Sequence, residues 1–293
     1  SMDRRRRSGG TRAVAQRDRI GGRIETLGPS RFGQPVDLGA EFVHGRPDAT
    51  WRLIREAGLT AYEVPFEHWR WHAGRLSKAA DYTDELSHVL GPLSRLRHDV
   101  SFAQYLRQSR GTPGAEATRF ALDFVMGFDA ADPERISAKS IAAEQEGLGD
   151  VGDEMQFRLL QGQGSLVEFL AAEAFGGSSR LILSSRVREV EWTHGRVRIR
   201  AETGPRRKPL ELTAAAAIVT VPLGILQAPP SSPSAIRFVP ELHEKQRAIG
   251  TLGFGPIVKV VLKLREPFWE DAPTRRATRA GKELADASFL HLP

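Results

Sequence analysis

Apolar and polar positions alternate most cleanly between Leu181 and Arg200. Val190 and Trp192 share a face, Thr193-His194-Gly195 turns the chain, and Val197 and Ile199 face inward opposite Arg196, Arg198 and Arg200. A period of two predicts strands with one wet face, the arginine row being solvated. Ala214 to Val221 is instead apolar without a break, as in a strand of a sheet covered on both sides, and Pro222 stops it where a strand would emerge at a ligand crevice. Ile257 to Leu264 also reads as a strand. It carries Lys259 among Ile257, Val258, Val260, Val261 and Leu262, so that lysine must point to an edge, a partner or a cavity.

Helical spacing governs other stretches. Leu86, Val89, Leu90, Leu93 and Leu96 form a stripe within a helical region from Asp81 to Phe128. Pro47 to Gly58 has proline near its start, Trp51, Leu53, Ile54 and Ala57 at helical spacing, and a glycine stop. Leu166 to Phe175 and Glu241 to Gly250 are predicted helices. Short strands are expected at Arg12 to Gln16 and Ile24 to Leu27, and between Tyr62 and Leu76 around a turn at Ala73-Gly74. Gly162-Gln163-Gly164 has the outline of a dinucleotide fingerprint. Its third glycine position is Val167 and no buried strand is expected before it, so only a helix N-terminus beside a cofactor or substrate is retained.

Composition narrows the classes. The 293 residues allow one large domain or two ordinary ones, and 40% hydrophobic with 27% charged residues describes a soluble globular chain. Forty-two Lys plus Arg against 36 Asp plus Glu leave a formal charge of +6, part of it in Arg4 to Arg7. Basic residues without interleaved aromatics do not favour nucleic acid, whereas an anionic cofactor suits them. With no cysteine, disulfides and thiolate chemistry are excluded. His68, His88 and His98 lack partners at ligand spacing, so no metal is expected. The longest apolar run, Leu212 to Leu226, is too short for a membrane span and is interrupted by Pro222 and Gly224, and with no signal peptide visible a cytoplasmic protein is expected. Ser1-Met2 reads as a cloning remnant, and residues 1–12 as a basic arm or vector-derived segment.

Glycine pairs let a backbone approach a bulky anionic ligand, and flanking arginines neutralise phosphates. Arg17-Asp18-Arg19-Ile20-Gly21-Gly22-Arg23 has this form, and Leu38-Gly39-Ala40-Glu41-Phe42-Val43-His44-Gly45 follows. With Ile218-Val219-Thr220-Val221-Pro222-Leu223-Gly224, and the segment from Phe238 through Lys259-Val260-Val261-Leu262 to Pro267-Phe268-Trp269, these resemble in order the flavin-containing amine oxidases, the family of monoamine, polyamine and histone-lysine-demethylating oxidases. The resemblance implies a mixed α/β fold with an FAD-binding Rossmann-like domain, incomplete here and interleaved with a helical and sheet substrate domain. It places Arg17, Gly21, Gly22 and Arg23 along the FAD ribose and pyrophosphate, and Val187 against the adenine. Gly39, Ala40, Glu41 and Phe42 would approach the flavin by backbone, with Thr220 and Pro222 close to the cofactor. Lys259 matches the family lysine that holds a water near the reactive flavin nitrogen, a task that desolvation would suit. His44 matches a position near the substrate channel.

The implied reaction oxidises a carbon–nitrogen bond of a small amine, polyamine-like types favoured, to an imine and then an aldehyde, with dioxygen giving hydrogen peroxide. The resemblance also implies truncation at both ends: the family's opening strand, Gly-x-Gly-x-x-Gly turn and helix have no counterpart, its ribose-binding acid aligns with Ala15, and its last segment is absent. FAD-binding parts are expected at 13–70 and 155–232, and substrate-binding parts at 71–154 and 233–293. An oligomer or partner covering the incomplete sheet is expected. The alternatives are a non-catalytic homologue acting through a partner and a basic nucleic-acid-binding protein.

Overall fold

The computed structural model describes residues 10–65, 67–72, 75–78, 82–109, 114–150, 152, 155–267, 269, 271 and 287–291. In chain order the first elements are β1 (Arg12–Val14), β2 (Thr26–Leu27), α1 (Pro29–Phe32), β3 (Val36–Asp37), β4 (Val43–His44), α2 (Asp48–Glu56), β5 (Ala61–Val64), β6 (His68–His72) and β7 (Arg75–Lys78). Next come α3 (Tyr82–Leu90), a 3-10 turn (Gly91–Arg95), α4 (Phe102–Gln108), α5 (Ala115–Gly127), α6 (Ala138–Gly149), β8 (Gln156–Leu159) and α7 (Gln163–Ala174). The rest are β9 (Arg180–Ile182), β10 (Ser185–Thr193), β11 (Arg196–Thr203), β12 (Lys208–Ala214), α8 (Leu223–Leu226), β13 (Arg237–Val239), α9 (His243–Thr251) and β14 (Phe289–His291). Two compact units result, Ser1–Glu25 with Gly164–Phe254, and Thr26–Gln163 with Gly255–Pro293. These boundaries differ from the cofactor and substrate portions drawn from sequence. The Arg4 to Arg7 run, the Ala73-Gly74 turn and Phe268 lie outside the described residues.

In the first unit, the alternating stretch forms antiparallel β10 and β11, with Val190 opposite Ile199 and Trp192 opposite Val197, in a sheet of order β12-β11-β10-β13. Val190, Val197 and Ala201 are buried. The arginine row is more than a solvated face. Arg198 meets Glu191 at 3.4 Å and Glu211 at 3.6 Å, while Arg200 and Arg237 both pair with the buried Glu189. Partly exposed pairs of this kind are worth at most about 1 kcal/mol each, so their main effect is to hold cross-strand register. β1 runs parallel to β9, and Ser184 N–H donates to the Arg17 carbonyl at 2.8 Å.

Two predicted strands do not form. Pairing of β12 ends with Ala214 opposite Val197, and residues 215–222 are irregular, Ile218 being 91% exposed. Ile257 to Leu264 likewise has no strand partner among the described residues, and Val258 is 87% exposed. An apolar run becomes a strand only where another backbone takes up its N–H and C=O groups. Here the composition suits burial, and among the described residues no neighbouring strand pairs with either run.

The second unit holds the larger core. Leu86, Val89, Leu90, Leu93, Phe102, Tyr105, Phe120, Val125, Ala138 and Ile141 pack together from α3 through α6, each large aliphatic or aromatic side chain contributing roughly 1.5–3 kcal/mol on burial. The helical stretch expected from Asp81 to Phe128 is broken after Leu90 by Gly91-Pro92, and α4 restarts under a Ser101 cap whose Oγ accepts from Gln104 N–H at 3.2 Å. α6, not foreseen from the sequence, starts under the equivalent Ser137 cap, accepting from Ser140 N–H at 2.9 Å. β8, mostly buried, runs down the centre of a β4-β8-β5 sheet. A buried strand therefore does precede Gly162, contrary to expectation. Gln156-Phe157-Arg158-Leu159 does alternate polar and apolar, but four residues were too short to announce a strand. A second sheet, β14-β6-β7, buries Trp69 and Leu76.

Candidate active site

The glycine pair of the first unit is a left-handed turn, with φ of 91° at Gly21 and 56° at Gly22. A side chain at Gly21 would strike the Ile24 carbonyl oxygen at 2.4 Å, whereas the space beside Gly22 is open. Arg19 folds back over the turn, donating to the carbonyls of Ile20, Gly22 and Ile24 and pairing with Glu25 at 2.5 Å. Its role is to hold the turn shut. Arg17 and Arg23 remain exposed, Arg17 lying 3.6 Å from Glu25. Exposed guanidinium groups around a glycine turn with an open face fit a phosphate-bearing ligand. Val187 sits in β10 next to the bulge that separates it from Glu189. Thr220 and Pro222 lie exposed in the irregular stretch before α8, and no described contact brings them to the glycine turn.

In the second unit the chain returns to Gly39 from 220 residues away. Lys259 Nζ donates to the Gly39 carbonyl at 3.3 Å and to Glu41 Oε2 at 2.5 Å. The expected desolvation of Lys259 is not met: its side chain is 30% exposed, its apolar neighbours face outward, and a carboxylate balances its charge. Glu41, expected to approach the cofactor by its backbone, uses its side chain to hold Lys259. Its other oxygen accepts from Arg158 Nη2 at 3.0 Å, and the Arg158 guanidinium lies 4.7 Å from the centre of the Phe42 ring. Ala40 is exposed between them. Arg158 was not singled out from the sequence, where it is one arginine among many with no motif around it.

His44 lies on β4 directly opposite Gln156 of β8 and lines a cavity of about 330 Å³ within this unit. The walls are largely aromatic. Phe124 stacks on Phe128 at 4.9 Å, His44 meets Phe128 edge-on at 6.0 Å and Phe42 at 6.0 Å, and His68 stacks on Phe289 at 4.5 Å. His68 Nδ1 and His291 Nε2 are 2.8 Å apart. Burial, and secondarily His291, pushes the His68 imidazole down to about 4 against the opposing pull of Glu67. Burial and Arg70 lower His291 in turn. Both rings thus lean to the neutral form at pH 7, and neither adds an imidazolium that would repel a cation. Asp123 adds a carboxylate, and Gln156, 7% exposed, has its Oε1 buried without a hydrogen-bond partner among the described residues. Such an acceptor inside an aromatic box suits a ligand that brings N–H donors. The N-terminus of α7, by contrast, is already taken. Asp37 accepts from Gln163 N–H at 3.1 Å and is itself held by Thr26.

Residues 16–289 match the model of the flavin-containing amine oxidoreductases. The chain belongs to the flavin-containing amine oxidase family. It is 29% identical over 288 residues to polyamine oxidase 3 of Oryza sativa subsp. japonica, covering 87% of this chain and 54% of that protein. It is 28% identical over 286 residues to polyamine oxidase 2 of Arabidopsis thaliana, with the same coverage. The chain thus spans about half the length of these relatives. Among solved structures, wild-type putrescine oxidase bound to putrescine superposes with a TM-score of 0.59 at 21% identity, covering 80% of this chain and 56% of that one. A cofactor-binding redesign of putrescine oxidase gives 0.60 at 22% identity, with the same coverage. These likenesses establish the mixed α/β amine oxidase fold, of which the chain carries part. Among the described residues no helix is long and apolar enough to cross a membrane, and no cluster of acids and histidines could hold a metal ion.

Proposed function

We propose that this amine oxidase takes FAD and oxidises a small polyamine-like amine. The observation that carries this reading is Lys259 docked on the Gly39–Glu41 loop, 220 residues away in sequence, just before β4, whose His44 lines the aromatic cavity opposite Gln156 of β8. Arg17, Gly21, Gly22 and Arg23 would hold the pyrophosphate and ribose, Val187 the adenine, and Thr220 and Pro222 would lie by the cofactor. Gly39, Ala40, Glu41 and Phe42 would face the flavin ring. Bound FAD supplies the two-electron oxidant that converts the C–N bond to an imine.

The chain's own share is binding and orientation. Phe124, Phe128, Phe289 and His44 exclude water around the alkyl chain, and their ring faces favour an ammonium. Gln156 Oε1 accepts from an amine N–H, and the neutral imidazoles of His68 and His291 add no positive charge beside it. Lys259, anchored by Glu41 and the Gly39 carbonyl, holds its remaining N–H toward a water. Dioxygen is the expected electron acceptor, and a cytoplasmic location the expected setting. The decisive measurement is the visible spectrum after mixing with FAD and gel filtration. Flavin absorbance eluting with the protein, bleached anaerobically by 1,4-diaminobutane or a longer polyamine, is expected; flavin that elutes apart from the protein overturns the reading for this chain.

One observation favours a second reading. The outward-facing Ile218, Ile257, Val258 and Val260 are apolar surface suited to another polypeptide, as in a non-catalytic homologue that works through a partner. A colourless protein that forms a stable complex would support it.

A further inference from the structure

We propose that Arg158 is a positioning residue for Lys259, acting through Glu41; this rests on the amine oxidase reading for its purpose, while its geometry stands apart from any cofactor. Lys259 lies on a segment without regular structure, with outward-facing Ile257, Val258, Val260 and Leu262 around it. Packing of its own neighbours therefore cannot fix where its ammonium goes. What fixes it is the Glu41 carboxylate at 2.5 Å and the Gly39 carbonyl at 3.3 Å. Glu41 in turn follows the irregular Leu38–Ala40 stretch and needs its own anchor.

Arg158 supplies it. β8 is held on both sides by antiparallel neighbours, Phe157 opposite Val43 and Arg158 opposite Tyr62, so the arginine backbone is fixed within a sheet. From there the guanidinium donates to Glu41 Oε1 at 3.0 Å and covers the Phe42 ring at 4.7 Å. The planar group thus gives one edge to the carboxylate and one face to the adjacent aromatic residue, an arrangement an ammonium cannot copy. Each Glu41 oxygen carries one cation, Arg158 on Oε1 and Lys259 on Oε2. Rotating the carboxylate away from the guanidinium would move the Lys259 anchor with it. The path runs from rigid strand to guanidinium to carboxylate to ammonium.

The test reads the Lys259 amine directly and needs neither flavin nor amine substrate. The full chain is treated briefly with acetic acid N-hydroxysuccinimide ester, and acetylation at each lysine is followed by mass spectrometry, with Lys245 on α9 as internal control. Lys259 should react about tenfold more slowly than Lys245 because two acceptors hold its amine. Arg158→Met keeps the aliphatic stem and should speed Lys259 acetylation about fivefold with Lys245 unchanged. Glu41→Gln should do the same, the double variant should add nothing further, and Arg158→Lys should restore only part of the protection. Unchanged Lys259 reactivity in Arg158→Met, or effects of the two single variants that multiply in the double, would overturn the proposal. If Arg158→Met raises every lysine through loss of fold, Arg158→Lys decides: full protection of Lys259 in that variant refutes the role of the guanidinium. Failure to take up FAD or oxidise amines sinks the amine oxidase reading and leaves these rates as they are.

Discussion

Lys259 brings a charge to a loop it does not neighbour in sequence, and its substitution separates binding from chemistry. Lys259→Met should lower the rate of amine-dependent flavin reduction or of reoxidation by about tenfold or more while leaving amine affinity in the aromatic cavity unaltered. Stopped-flow rates equal to those of the parent would remove Lys259 from the reaction. Asp129 makes a different kind of prediction. Both its carboxylate oxygens are buried without a partner among the described residues, and burial, reinforced by the neighbouring Glu144, pushes its carboxyl up from 3.8 to about 7. The folded chain therefore keeps a proton there that the unfolded chain has released, so Asp129 contributes stability below pH 4 that is lost as pH rises through 7. Glu144, raised by burial, leans the same way. His68, lowered to about 4, works in the opposite sense: its contribution is complete above pH 6.5 and drains as pH falls toward 4. Asp129→Asn should thus stabilise the protein more at pH 8 than at pH 4, by about 1 kcal/mol once solvent screening is allowed for, in paired urea melts.

At the level of elements, α6 depends on one hydroxyl. Ser137 caps it, and the helix carries Gln145 and Leu148 to the cavity wall. Ser137→Ala should cost about 1 kcal/mol in a urea titration and loosen that wall. The same scale shows what the sequence could and could not disclose. The Gly21-Gly22 turn, the β10–β11 pair and the α3 stripe were legible because each is dictated within a few residues, by φ, by period two and by period 3.6. The loop from Gly39 and the Lys259 segment stood out through motifs, and the structure brings the two into contact. Arg158 and β8 were not: the strand is four residues long, and its worth comes from Val43 and Tyr62 beside it, which no local pattern encodes. Residues 214–221 failed in the opposite way, since an unbroken apolar run records an affinity for burial and says nothing about which backbone will provide it.

For the molecule as a whole, those outward-facing apolar stretches set its behaviour in solution. A formal charge of +6 opposes association weakly at ordinary salt, because the screening length is only about 8 Å. Val258→Lys should reduce self-association in light scattering without changing the far-UV circular dichroism, since the segment contributes no helix or strand. Loss of helical signal in that variant would mean that the segment supports the core.

The chain passes between its compact units three times, after Glu25, after Gln163 and after Phe254. Neither unit is an uninterrupted stretch of polypeptide, and no single cut can release one of them whole. Dissecting the molecule therefore calls for splicing rather than trimming, with residues 26–163 joined to 255–293 by a short linker to give the cavity and its lysine as one expressible piece. Gly255, where that second piece begins, must remain glycine at the splice, because a side chain there would lie 1.7 Å from the Ala130 carbonyl oxygen.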